Sequence, residues 1–449
     1  MRKRLPLLFR HAMYNLRGGF LVRPLSIALT LGCAGGALAW SEEAIPAFSQ
    51  WAPSALFPSH SDPQIAQIIL GGIAASIMTV VSIVFVILLM TLTLASMQFS
   101  PRIIISFTRD RVTQWTLGIF LGTFLYCMAA LPAARQVPRP FAPVVTVMGA
   151  MLLAIACVGW LLFFIHHISH SISVNQIVDR IASETEVVID ETMPWPRRPG
   201  RPEGGADPFG PSGAMVLSGS PGYIRFLDSK RLVSLAKTYH VRIRVLRRVG
   251  QFVPAGVPLL ALSKAGSLSD ESLADFRETF DLGPSRTLQQ DVEFGVLQIV
   301  DIALKAISPA VNDPTTAISC VDQLSRILIR FASREQPERL LYDPPGVVRV
   351  GLQWIDFERL FESAFEQIRM YSKGDVAVSL RLLRALSDIA IGAPAANRPV
   401  LVEFGRRIVS GCSERLSEDE MKRLRIRLAA AEEAAGAPSG EVLLPGRSL

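Results

Sequence analysis

Charge is scarce in this sequence. Only 19% of its 449 residues are charged, against about 25% in an ordinary soluble chain, while 50% are hydrophobic and the mean hydropathy is +0.34. That balance excludes a wholly soluble enzyme and a disordered chain. Cysteine is scarce too. Cys33, Cys127, Cys157, Cys320 and Cys412 make an odd count without a Cys-x-x-Cys pair, which excludes a disulfide or zinc framework and points to small buried side chains in a reducing compartment. The chain lacks a phosphate-binding Gly-rich loop, a dinucleotide fingerprint, a His-Glu-x-x-His helix and a calcium loop, so no cofactor or metal and no nucleotide-driven chemistry is expected. A net charge of +7 without a Lys/Arg run interleaved with aromatics gives no reason to expect nucleic acid as a partner. Ser218-Gly219-Ser220-Pro221-Gly222 has the outline of a nucleophile elbow, but Ser stands where Gly is needed and Pro follows the nucleophile position, so it reads as a turn.

What charge there is avoids the first 180 residues. Residues 63–101, 112–134 and 140–178 hold no Asp, Glu, Lys or Arg, and about 20 apolar residues span a bilayer. Spanning helices are predicted near 65–99, 114–133 and 141–166, with a shorter one, softened by Gly32, Gly35 and Gly36, near 24–40. The basic start and the small triplet Ala37-Leu38-Ala39 also fit a cleavable signal segment, a competing reading of residues 1–39. Six Arg or Lys lie in residues 1–23 and three in 102–111, with none in 41–61, so the positive-inside rule puts the N-terminus and everything after the last helix in the cytoplasm of a multi-pass inner-membrane protein.

The second span is the most informative. A helix over 65–99 would be about 50 Å long against a hydrocarbon core of about 30 Å, so it tilts or projects. Ala75, Thr79, Ser82, Val86, Leu89, Thr93, Ser96 and Ser100 alternate steps of four and three, which sets them on one seam. Such a stripe most commonly serves helix packing. The sharper reading is a pore lining in which Thr79, Ser82, Thr93 and Ser96 face water and Val86 with Leu89 form a hydrophobic constriction. No ionisable side chain sits mid-span, which argues against a coupled transporter with a charged binding site. At the end of the last span, His166 and His170 have metal-ligand spacing, but His167 occupies the place of the zinc-protease Glu, and imidazoles at headgroup level are the plainer reading.

A cytoplasmic α+β region follows, mainly helical toward the C-terminus: a helix over 171–192, a Pro/Gly-rich linker over 193–214, a small mixed unit over 215–265, a helical domain over 270–435 and a tail over 436–449. In the mixed unit, Tyr223 to Phe226 reads as a strand, Ser229 to Tyr239 as a helix, and Val241, Ile243 and Val245 as the buried face of a second strand. The string Gly250 to Leu259 is a turn-strand-turn that looks like the hammerhead of biotinyl and lipoyl carrier domains without their lysine motif, which suggests a small barrel-like fold. Thr287 with Gln290 reads as a capping box opening the next helix. On that helix Glu293, Asp301 and Lys305 form a polar cluster: Glu293 with Asp301 would suit acid-base work, while Asp301 with Lys305 is an ordinary i, i+4 ion pair. Pro309 breaks the helix, and Asp313 with Pro314 caps the next, after which helices run over 317–331, 357–371, 376–391, 399–410 and 417–435.

Six strings, Gln98 to Arg102, Gly122 to Cys127, Phe164 to Ile168, Gly250 to Leu259, Gln290 to Gly295 and Ser308 to Ala317, together resemble a bacterial family of predicted integral membrane proteins, domain-of-unknown-function family 2254. The resemblance implies an inner-membrane protein and brings no activity or ligand set. The reading that follows is a homo-oligomeric channel with a cytoplasmic gating and assembly domain, in contact with membrane lipids. The alternative is a membrane-anchored scaffold that binds a cytoplasmic protein partner or lipid headgroups. An enzyme at the membrane surface, acting through Glu293, Asp301 or the histidines, stands third.

Overall fold

The computed structural model describes residues 22–45, 62–98, 111–137, 140–171, 173–193, 209, 213–263, 269–337, 339–343 and 346–436. They belong to two units, 1–173 and 174–449.

The first unit holds four helices long and apolar enough to cross a membrane: α1 (Val22–Ala44), α2 (Pro63–Gln98), α3 (Arg111–Ala130) and α4 (Val144–Ser171). Helix α3 is the hub and packs against the other three. Small residues set its closest contact, with α1. A Cβ on Gly35 would lie 2.6 Å from the Tyr126 carbonyl oxygen, and one on Gly118 would lie 2.8 Å from Ile27 Cδ1. The glycines that soften α1 in the sequence therefore let two helix backbones approach, as spans without a hydrophobic drive to associate require. The helix also runs beyond the expected 24–40, and its last turn bonds to the start of α4. There, buried Glu42 accepts from the backbone N–H of Val145 (2.9 Å) and Thr146 (3.1 Å) and from the Thr146 hydroxyl (3.0 Å). A carboxylate thus caps α4 where unpaired N–H groups and the helix dipole favour negative charge. Trp160 Nε1 donates to Thr116 Oγ1 at 2.9 Å, and Tyr126 Oη donates to the Thr146 carbonyl at 3.1 Å.

The second unit opens with α5 (Val174–Thr192) and then builds two sheets. Strands β1 (Ala214–Leu217), β5 (Pro258–Leu262), β3 (Ile243–Val245), β8 (Val347–Gly351) and β7 (Leu340–Asp343) form one, in that spatial order, with β3 and β8 parallel and the other pairs antiparallel. Strands β4 (Phe252–Val253), β2 (Gly222–Leu227) and β6 (Phe280–Gly283) form the other. Helices α6 (Ser229–Thr238) and α7 (Asp270–Arg277) accompany them around a core that includes Ile224, Leu232, Ile243, Leu260, Phe276 and Val350. Val241, Ile243 and Val245 are buried as their alternation predicts. Two sheets stand where a barrel-like unit is expected, and β7 and β8 come from the segment expected to be helical, so the sheet crosses the expected boundary at 265–270.

The remaining helices are α8 (Val292–Ala306), α9 (Pro314–Ala332), α10 (Phe357–Tyr371), α11 (Val376–Gly392), α12 (Arg398–Cys412) and α13 (Glu418–Gly436). Asp313 caps α9 by accepting from Thr316 N, with Pro314 in the first position, as the sequence indicates. The expected capping box at Thr287 is not formed. Helix α8 begins five residues later, where Asp291 accepts from Phe294 N, and Gln290 instead reaches across to β2, pairing with both backbone groups of Leu227. Phe361 meets Phe365 and Phe404 edge to face at 5.3 and 5.0 Å between ring centres, pinning α10 to α12.

Candidate functional site

Two places hold the residues that the sequence singles out. The first is the outer face of α2. Ala66, Leu70, Ala74, Ile77, Val81 and Val84 are buried against the rest of the unit. At 100° per residue, the seam of Ala75, Thr79, Ser82, Val86, Leu89 and Thr93 points the opposite way, and every one of these residues is exposed, Val86 at 62% and Leu89 at 49%. The hydroxyls of Thr79, Ser82 and Thr93 donate to the carbonyls four residues earlier, at 3.0, 3.0 and 2.8 Å. The side chain of Ser96 and all of Ser100 lie outside the described residues, as does the side chain of His170. His166 is exposed, and His167 stacks on Phe163 at 6.3 Å between ring centres.

The second place lies within the second unit, where the Gly250 turn meets the start of α8. Glu293 sits in the first turn of α8 and is nearly buried. Arg248 Nη2 donates to both of its oxygens at 3.1 and 2.9 Å, Arg286 Nη2 to Oε2 at 2.9 Å, and Ser363 Oγ to Oε1 at 3.2 Å. Arg286 also grips Asp291 with two bonds, Nε to Oδ2 at 2.7 Å and Nη2 to Oδ1 at 2.8 Å. Burial alone would raise the Glu293 pKa, but the two guanidiniums outweigh it and hold the carboxyl below its ordinary value. Burial likewise works against the Arg286 cation, and Asp291 and Glu293 carry its pKa above the ordinary value. Gly250 has φ +89°, and a Cβ there would lie 2.7 Å from Arg286 Nη2, so both its backbone and its bareness serve this network.

Asp301 and Lys305, half-buried, sit about 12 and 18 Å further along α8, so the three expected polar residues do not form one cluster. The partners of Glu293 are Arg248 from the turn between β3 and β4, Arg286 from the segment between β6 and α8, and Ser363 of α10, which spacing along α8 could not reveal. Beside the network opens a cavity of about 70 Å³, lined by Leu227, Val245, Arg247, Arg248, Val249, Asp291, Glu293, Phe331, Leu352 and Trp354 among others. Among the described residues no group of three His, Cys, Asp or Glu is placed to hold a metal ion.

A third feature ties α5 into the unit. Arg326 on α9 reaches Asp179 (2.8 Å) and Glu186 (2.5 Å), Arg330 grips Asp190 with two bonds at 3.0 and 2.6 Å, and Arg334 reaches Asp190 as well. Hydrogen bonding from Arg330, reinforced by Arg334, holds the Asp190 carboxyl below its usual pKa. On the neighbouring face Thr185 of α5 lies directly over Gly295 of α8.

A family model described as a predicted membrane protein, DUF2254, matches residues 17–388. The chain belongs to the DUF2254 family. Similar proteins are the uncharacterized protein Rv1290c of Mycobacterium tuberculosis and the uncharacterized protein Mb1321c of Mycobacterium bovis, each 32% identical over 366 residues that cover 80% of this chain and 70% of theirs. No solved structure matches. The DUF2254 match takes in all four apolar helices, both sheets and the Arg248–Arg286–Glu293 network, and ends inside α11, so α12 and α13 lie beyond it.

Proposed function

We propose that this membrane protein works as a homo-oligomer in the bacterial inner membrane, with the α2 helices of several copies turned toward a shared axis that they line as a pore. The second unit then serves on the cytoplasmic side as its assembly and gating platform, consistent with the positive-inside count. The observation that supports this reading is the bare seam: among the described residues nothing covers the face of α2 that bears Thr79, Ser82 and Thr93, where these hydroxyls stand among exposed Ile83, Phe85 and Met90. Helix α4 presents Leu152, Ile155, Val158 and Leu162, a face fit for lipid tails. Hydroxyls that already donate within the helix keep lone pairs free to accept from water, and Val86 with Leu89 between them would form a dewetting constriction.

The mass of the detergent-solubilised complex tests this first. A closed assembly of about four or more copies is expected, and a monomer would overturn the shared pore. In the assembly, V86S with L89S should raise conductance in planar bilayers. The same internal satisfaction of the hydroxyls also suits dry packing against another helix, which favours, as a second reading, a membrane-anchored scaffold with a cytoplasmic protein partner or lipid headgroups as its ligand. A monomer in detergent is the outcome expected of that scaffold.

A further inference from the structure

One arginine in the wall of the cavity beside the Glu293 network stands outside that network. The wall's two carboxylates, Asp291 and Glu293, are taken up by Arg248, which is also in the wall, and by Arg286, which lies outside it, while Arg359 stands 4.0 Å from Glu293. Arg247 also lines the cavity and adds one positive charge that nothing cancels: among the described residues its guanidinium has no hydrogen bond or ion pair, and its Nε is shut away from solvent without an acceptor. Trp354 lines the same cavity, and its indole Nε1 is likewise buried without an acceptor. A buried donor left unpaired is destabilising, more so when charged, so two in one cavity are costly unless something accepts from them. Most of the remaining wall is apolar, supplied by Leu227, Val245, Val249, Phe331, Leu352 and Ile355.

We propose that this cavity is a binding site for a small organic carboxylate, its oxygens accepting from Arg247 and Trp354 and its short apolar body lying against the valine and leucine side chains. Charge selects the class: among the described residues no carboxylate pairs with Arg247, and a neutral amide or alcohol would leave it uncompensated. Size limits it. One water needs roughly 10–15 Å³ of such space, so about 70 Å³ holds roughly five waters or a ligand of about six heavy atoms. The site is separate from the α2 seam and does not depend on the pore reading.

The probe is butyrate, offered to the full-length chain in lipid nanodiscs and followed by saturation-transfer NMR at constant ionic strength. Saturable transfer is expected in the parent and at least a fivefold weakening in R247Q, with a smaller loss, about two- to threefold, in W354F. Butylamine should give no saturable signal at this site, and inorganic phosphate should compete much less well than butyrate itself. Because Arg247 has no partner to lose among the described residues, R247Q should melt at or above the parent temperature, and W354F provides an independent reading of the same contact. Absence of saturable transfer in the parent, equal transfer in R247Q, or competition by phosphate as strong as by butyrate would each overturn the proposal.

Discussion

The close approach of α5 to α8 at Thr185 and Gly295 yields a prediction with a sign that simple helix propensity gets wrong. Replacing Gly295 by Ala inside a helix should by itself add about 1 kcal/mol of stability, because glycine loses more backbone freedom on folding. Here the new methyl would stand 3.0 Å from Thr185 Cβ and 3.0 Å from Leu288 Cδ2, and closer still to the Thr185 hydroxyl. Ordinary carbon–carbon contact is about 3.5–4.0 Å and carbon–oxygen contact only slightly shorter, so the hydroxyl contact, the tightest of the three, would force α5 to retreat by more than about 1 Å. Thr185 cannot turn aside, since it is fully buried and its hydroxyl donates to the Ile181 carbonyl at 2.6 Å. Overpacking of this kind costs about 1–3 kcal/mol. The net effect of G295A is a loss of up to about 2 kcal/mol, as much as a few degrees of melting temperature for a unit of this size. The assay is a thermal-melt double-mutant cycle on the full chain. G295A should destabilise the parent but stabilise a T185A background, where the methyl fills the vacated space, and T185S, which keeps the hydroxyl, should not give that rescue. Equal effects of G295A in the parent and T185A backgrounds would refute the contact.

Two further outcomes follow from the second unit. E293Q should cost about 3 kcal/mol, because Arg248 would lose the carboxylate that it grips and Arg286 would keep only Asp291. With its folded pKa held below the ordinary 4.5, Glu293 contributes stability that is complete above that pH and is lost as pH falls through the lower folded value; the parent should therefore lose melting temperature below about pH 4.5 more steeply than E293Q, and parallel pH profiles would count against the network. Cys320, fully buried, has its thiol pushed up to about 12 by burial first and by the Asp313 and Asp322 charges second, so iodoacetamide at pH 8 should leave it unmodified in the folded chain and alkylate it only after denaturation, as intact and peptide masses would report.

Local pattern carried much of the fold into view. Long charge-free runs located four apolar helices, and caps such as Asp313 with Pro314, or strict alternation such as Val241, Ile243 and Val245, located helices and strands within a residue or two. What local pattern missed is what distant segments supply to one another. The β7–β8 hairpin joins the larger sheet only through β3, a hundred residues earlier, and Asp291 caps α8 in place of Thr287 while Gln290 bonds across to Leu227. At the charged site, Glu293 was legible as a candidate, but Arg248 and Arg286 were not, since each reaches it from another element. The strings at Gly250 and at Gln290 to Gly295 stood out separately. Their meeting, and the need for a bare Gly250 where they meet, is a fact of three-dimensional packing.

The parallel pairing of β3 with β8 has a consequence in time. When β1, β3 and β5 have left the ribosome, the β3 edge that β8 will occupy is still open, with its backbone groups unpaired. About 85 residues, including α8 and α9, must be made before Val347–Gly351 can close it. At roughly 5–20 residues per second this is an interval of about 5–20 s in which an apolar edge strand is open to mispairing with another nascent chain. The long crossover thus makes biosynthesis, more than the finished fold, the stage at which this protein is most exposed to aggregation, and slower translation through residues 246–346 should lower its yield in the membrane.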